Sequence, residues 1–304
     1  MRVLSLSRLG GPYREIISGN QPRKCAFDGE SSRVRQLLCR GCHQRVIAPA
    51  YLSLIQDAFS DLHESVEMTL TDLLPQLHPF SQSLTRGPIP HAGTRFDQMG
   101  RFLWEPGNTV VSHLVEGSES QKAVVDARTR YLVLPEVEKL AFTPVASLHM
   151  TIFQGVIEYR RRLPYWPADI PLETPIKDTT ELFLQRLRNF KPCGPFNVHV
   201  THATPNGLRL DGVTQEDKAM LKLWRDRFAD YFGFRHPDHN SYKFHITFAY
   251  MKERFSDKAM CTWQVALDDL VEEINTRAPV IDLQPPAYCC FEDMNHFEEL
   301  LIFK

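Results

Sequence analysis

The chain carries one short strand signature twice, Ser-Leu-His-Met-Thr-Ile-Phe at 147–153 and Lys-Phe-His-Ile-Thr-Phe-Ala-Tyr at 243–250. Successive side chains of an extended strand point to opposite faces. His149 and Thr151 therefore share one face, and Leu148, Met150 and Ile152 take the other. His245 and Thr247 share a face in the same way, against Phe244, Ile246, Phe248 and Tyr250. Each signature closes a similar unit. A strand over 108–114 and a helix over 119–139 are predicted before the first one. Strands at 196–201 and 207–211 and an amphipathic helix at 214–232 (Met220, Leu221, Leu223, Trp224, Phe228, Tyr231) precede the second. A strand, a helix and a His-x-Thr strand, made twice, restrict the chain to an α+β fold. Its two pseudo-equivalent lobes would each bring one such strand to a shared cleft.

The flanking segments are less regular. Residues 1–48 show no sustained period and read as a loosely ordered basic segment. Residues 49–93 read as a helical extension and linker: Tyr51, Leu54, Ile55, Ala58, Phe59 and Leu62 keep helical spacing, and a second helical stretch runs from Val66 to Leu77. Prolines and glycines between 79 and 100 predict a long loop, so the body is placed at 94–304. Within it, a proline-rich stretch at 157–195 flanks a helix at about 178–190. A helix near 263–276, strands at 279–284 and 287–291, and a short terminal helix or strand complete the body.

At 304 residues, with 43% hydrophobic and 24% charged side chains, the chain can bury a full core as a globular protein. Its net charge of −2 is unevenly spread. Residues 1–45 hold nine basic and three acidic side chains (+6), leaving 26 basic and 34 acidic (−8) for the rest. An anionic ligand of the body must therefore be held by local groups rather than by a global field. No stretch approaches the ~18 apolar residues of a membrane span, and no membrane partner is expected. Seven scattered cysteines, an odd number, do not form a disulfide framework and fit a reducing, cytoplasmic setting. The Arg- and Ser-rich start makes an organelle the alternative. A monomer is expected.

Two imidazoles and two hydroxyls around one cleft supply a base, an acid and two donors for an anion. Histidine serves either proton-transfer role near neutral pH. On these residues the chain resembles the 2H phosphoesterase superfamily, to which RNA 2′,3′-cyclic phosphodiesterases and 2′,5′-ligase-like proteins belong. The resemblance covers roughly 94–304, through Pro-Gly-Asn-Thr at 106–109, the two His-x-Thr strands and Tyr-Trp-Pro-Ala-Asp at 165–169. It implies a bilobal fold, two lobes of antiparallel sheet flanked by helices. It also implies phosphodiester hydrolysis on a nucleotide or RNA end, catalytic His149 and His245, phosphate-binding Thr151 and Thr247, and neither metal nor cofactor. One departure is plain. Phe153-Gln154 and Phe248-Ala249 stand where many members have a basic side chain, so electrostatic help must come from elsewhere. Arg160, in the run 160–162, is the candidate to reach back. Tyr242 is a candidate rim contact, and Asn108 and His113 lie on the opening strand of the first lobe.

Two other functions stay open on sequence: a catalytically weak binder of RNA ends or nucleotides, and a metal-dependent hydrolase built on His199, His202, His236, His239 and His245. Cys39-x-x-Cys42-His43 has the spacing of a haem attachment site or half a zinc knuckle, with Cys25 the only nearby partner. Cys289 and Cys290 point to opposite faces of a strand and read as core.

Overall fold

In the computed structural model, residues 70–304 are described. The basic N-terminal segment, the predicted Tyr51–Leu62 helix and the Cys39/Cys42 pair lie outside the described residues. The principal strands are β1 (Gly107–His113), β2 (Leu140–Phe142), β3 (His149–Ile157), β4 (Val198–Thr204), β5 (Gly207–Gly212), β6 (Phe244–Thr247), β7 (Ala249–Met251), β8 (Ala287–Phe291) and β9 (Glu298–Ile302). The helices are α1 (Glu119–Tyr131), α2 (Ile176–Leu187), α3 (Gln215–Phe232) and α4 (Asp257–Arg277).

Seven strands form one antiparallel sheet in the order β4-β5-β6-β3-β1-β8-β9, and β2 pairs with β7 beside it. The chain is thus α+β, as the doubled pattern predicts. Its two lobes are halves of a single sheet, joined where Met150 of β3 pairs with Ile246 of β6.

Alternation decides what each face does. Val110, Met150, Ile152, Leu208 and Ile246 are buried in one large cluster with Phe183 of α2, Leu221 and Phe228 of α3 and Leu270 of α4. Burying one such side chain contributes about 1.5–3 kcal/mol, so this layer is the main hydrophobic support of the sheet. The opposite face holds a smaller cluster, Val111, Ile157, Ala287, Cys289, Phe291, Met294 and Phe297, and is otherwise open. That open part is where the His-x-Thr side chains emerge.

Caps fix the helix starts. Ser118 Oγ accepts from Gln121 N, Ser256 Oγ accepts from Ala259 N, and Thr214 with Asp217 forms a reciprocal capping box on α3. Gly233, at φ 81°, ends α3 in the left-handed region that favours glycine. Helix α1 stops at Tyr131, short of the predicted 139. Pro135 disfavours helical backbone at Leu134, and Glu136 turns the chain with φ 59°.

Two other expectations change. The predicted strand at 279–284 is an irregular crossing: Ile281 N donates to Val198 O, whereas Gln284 N donates to His113 O. Its backbone therefore bonds the ends of two different strands instead of running along one. The described part of the predicted Val66–Leu77 helix is short 3-10 turns, Leu70–Asp72 and Pro75–Phe80, parted before Pro75. Leu73, Leu77 and Phe80 sit in the main core, and Ser81 forms a bridge to Phe255. The segment after them folds back in turns, with Phe96 bridged to both Ala92 and Phe102.

Candidate active site

Antiparallel pairing fixes the relation of the two signatures. Met150 and Ile246 meet on the helix-covered side. One step along each strand, on the other side, Thr151 falls opposite His245 and His149 falls opposite Thr247. Directly opposed residues have Cβ atoms about 4.5–5.5 Å apart. All four side chains line one cleft of about 350 Å³. Each imidazole thus faces a hydroxyl of the other lobe.

Both imidazoles are held in the same way. His149 Nδ1 lies 2.7 Å from Ser147 O, and His245 Nδ1 lies 2.9 Å from Lys243 O. A carbonyl oxygen only accepts, so Nδ1 carries the proton and donates it in each ring. Nε2 is left as the titrating atom: a base when bare, an acid when protonated.

The cleft holds both rings neutral. Burial, reinforced by the nearby His113 and His245, lowers the pKa of His149 to about 3, against the opposing pull of the Ser147 carbonyl. Burial likewise lowers His245 to about 4. The Lys243 carbonyl opposes this and the Arg209 and Arg95 cations add to it. A group that is to donate a proton here needs an anion beside it, which favours the charged imidazolium.

Second contacts stiffen the site. Tyr242 and Thr151 both line the cleft, and the Arg225 guanidinium lies 3.9 Å from the centroid of the Tyr242 ring. Arg225 Nη1 in turn donates to Ile152 O at 2.6 Å, behind the first signature. Burial raises the Tyr242 pKa to about 12, so its hydroxyl stays protonated. On the other wall Arg209 of β5 pairs in register with His245, and both line the cleft. On the far side of His149 stand Phe297, with ring centroids 4.3 Å apart, and His113 at 5.8 Å.

Comparison with known proteins bears on this arrangement. Residues 95–209 match the family model 2H-phosphodiest, described as a domain of unknown function (DUF1868). The chain is 50% identical to a conserved protein of unknown function from Agrobacterium tumefaciens whose crystal structure is known. The similarity covers 76% of this chain and 100% of that one, with a TM-score of 0.75. The chain belongs to the 2H phosphoesterase family. No curated protein matches it. Family membership supports an activity of the phosphodiesterase type.

In this 2H phosphoesterase the remaining sequence candidates separate. Tyr242 precedes β6 and lines the cleft. Arg160 also lines it, whereas Arg161 is tied to Glu158 and to the Leu172 and Thr174 carbonyls. Asn108 does not reach the cleft. Alternation along β1 turns it to the helix side, where Nδ2 donates to Thr180 Oγ1 at 2.9 Å and Oδ1 accepts from Val156 N at 3.1 Å. It ties β1 to β3 and α2, and Thr109 lines the cleft in its place. His113 contacts His149 from β1 and bonds Glu299 Oε1 at 3.1 Å. It is not among the cleft-lining residues, whereas His149 beside it is.

The imagined histidine metal cluster does not assemble. His236 Nε2 bonds Gln154 O and His239 Nε2 bonds Asp226, while His199 and His202 lie on β4. Among the described residues no three His, Cys, Asp or Glu side chains converge as a metal site. Among the described residues no helix is long and apolar enough to cross a membrane.

Tyr250, expected on the apolar face, turns to the cleft beyond the end of β6, and the lining residues that escape the sequence reading include His91, Arg95 and Arg209. Arg209 carried a signal, since Leu208 and Leu210 claim the apolar face of β5 and leave it on the His-x-Thr side. His91 and Arg95 stand in irregular turns, where no period points anywhere.

Proposed function

We propose that this 2H phosphoesterase hydrolyses a cyclic phosphodiester, of the 2′,3′ type on a nucleotide or RNA end, by acid–base catalysis between His149 and His245. The observation that carries this reading is the matched pair of Nδ1–carbonyl bonds, which leaves one Nε2 per lobe free for proton transfer across a shared cleft. One bare Nε2 takes a proton from water as the water oxygen bonds to phosphorus. The phosphorus–oxygen bond to the ribose breaks, and the other Nε2–H protonates the departing oxygen. Each histidine ends in the other's starting state, and a solvent proton exchange resets the pair.

Negative charge grows on the non-bridging oxygens during this step. Thr151 and Thr247 donate there from opposite lobes, and Arg209 adds a fixed cation. Arg209 and the other cleft arginines answer the missing basic follow-on residues. The phosphate anion itself raises the pKa of whichever histidine acts as acid, so protonation is coupled to binding. No metal is required by this sequence of steps, because the two imidazoles perform both transfers.

The test is hydrolysis of a panel of nucleoside 2′,3′-cyclic phosphates and cyclic-phosphate RNA ends, with and without a chelator. Turnover that survives chelation supports the reading. Turnover lost on chelation and restored by zinc or manganese would replace it with a metal hydrolase. Tight nucleotide binding with no turnover would make the protein a binder.

A further inference from the structure

Arg160 differs from every other arginine of the cleft. Its guanidinium lies 5.4 Å from the Tyr159 ring centroid and 5.0 Å from that of Tyr165, and the residue lines the cleft. Its Nε and Nη2 are buried with no hydrogen-bond partner among the described residues. Leaving charged donors buried and unmatched is costly, and an oxyanion in the cleft would relieve it. Arg95, its neighbour, has no such need. Arg95 Nε pairs with Glu105 Oε2 at 2.6 Å, Nη1 with the Tyr250 hydroxyl and Nη2 with the Tyr159 hydroxyl.

A second donor stands beside it. The Tyr159 hydroxyl accepts from Arg95 and lies 3.2 Å from His91 Nδ1, to which its own proton is free to donate. The neutral His91 ring then carries its proton on Nε2, the tautomer opposite to that of the two His-x-Thr rings. Backbone strain marks the position as well, for His91 sits at φ 67° without being a glycine. Its ring lines the same cleft as Arg160.

These donors are remote from the histidine pair. Arg160 caps Tyr165, Tyr165 packs on His236, and His236 Nε2 bonds Gln154 O. Arg160 follows the far end of β3 at Ile157, eight residues beyond His149, and both ends of the strand line the same cleft. An anion at Arg160 is therefore a different group from one held between the two His-x-Thr pairs.

We infer that Arg160, with His91 beside it, binds a second phosphate of the substrate, so that the preferred substrate is a phosphodiester whose far end is itself phosphorylated. The inference rests on the two-histidine reading for the position of the scissile phosphate. The side-on edge of a guanidinium, Nε with one Nη, fits two oxygens of such a group.

The experiment compares kcat/KM for adenosine 2′,3′-cyclic phosphate with and without a 5′-phosphate, in the full chain, in Arg160→Met and in Arg160→Lys. The wild type should prefer the 5′-phosphorylated substrate by about 10–100-fold, the worth of a charge-assisted contact. Arg160→Met should bring that ratio close to one, and Arg160→Lys should restore part of it as a point charge without the fork. A wild type without preference, or a ratio untouched in Arg160→Met, overturns the inference. If neither substrate is turned over, the two-histidine reading fails on its own. Calorimetry with AMP against adenosine then decides the second site: an AMP preference lost in Arg160→Met supports it, and equal binding overturns it.

Discussion

Met150 pairs with Ile246 across the junction of the two half-sheets, and this pair sets each imidazole opposite the other lobe's threonine. Slipping either strand by one residue would send its histidine to the helix-covered face and its apolar neighbours into the cleft. The register thus decides whether both His-x-Thr pairs reach the cleft. It is protected by the burial of both residues, each with no exposed surface.

His149→Ala and His245→Ala should each lower turnover by about 10²–10⁴-fold, the usual worth of a positioned acid or base. The double variant should fall short of the product of the two losses, because the groups act as a unit. Steady-state rates on a cyclic-phosphate substrate, with folding checked by circular dichroism, measure this. Full activity in either single variant would remove the two-histidine mechanism.

Tyr242→Phe keeps the ring under Arg225 but removes a hydroxyl from the cleft that holds Thr151. A neutral hydrogen bond contributes about 0.5–1.5 kcal/mol, so turnover should drop by up to about 10-fold. Thr151→Ala and Thr247→Ala remove a donor to the phosphate and should cost about 10²–10³-fold, with Thr→Ser mild. An order of losses in which Tyr242→Phe exceeds Thr151→Ala would show that the tyrosine itself touches the reacting group.

Stability should fall on acidification in a defined window. Burial lowers the pKa of His149 to about 3 and of His245, His91 and His236 to about 4. An unfolded histidine titrates near about 6.5, so below that pH the unfolded chain binds more protons and unfolding is favoured. These four groups contribute stability that is fully present above about pH 6.5 and is lost as pH falls toward their folded pKa values, between about 4 and 3. Scanning calorimetry from pH 4 to 8 should give a Tm that rises to roughly pH 7 and then levels as far as these histidines are concerned. A Tm independent of pH below about 6 would contradict their burial as neutral rings.

Gly155→Ala tests the joint between β1 and β3. An added Cβ would meet Asn108 Oδ1 at 1.9 Å and the Asn108 backbone oxygen at 2.6 Å. The buried Asn108 amide cannot retreat without losing Thr180 and Val156. Overpacking of this kind costs about 1–3 kcal/mol or more, and the variant should lose several degrees of Tm. An unchanged Tm would mean that the strand pair yields more easily than its hydrogen bonds suggest.

The sheet and its polar face were legible because a two-residue period constrains both strands and cleft together. His149, Thr151, His245 and Thr247 emerge on one side for the same reason that Met150 and Ile246 are buried on the other. Arg209 was equally available through Leu208 and Leu210. Asn108 shows the limit of reading residue type without phase, since the same alternation that exposes Thr109 turns it inward. Arg95, His91 and the turn that carries Arg160 were not legible. Their placement depends on how residues 90–103 and 158–160 fold against the sheet, and irregular backbone leaves no period to follow. The segment 279–284 misled because its apolar residues pack as a strand would while its backbone crosses two strand ends.

Because each imidazole is oriented by a main-chain carbonyl two residues earlier, neither is marked by its own support as donor or acceptor. A carboxylate partner on one ring would have fixed that choice, and here both rings carry the same anchor. On the two-histidine reading, the polarity of the reaction is then left to the walls, where Arg209 accompanies His245 while Phe297 and His113 flank His149. A ligand entering in the reversed pose would meet the same pair with the parts exchanged. Which ester bond opens is therefore written in how the ligand lies, and reshaping those walls could redirect the cut without touching either histidine.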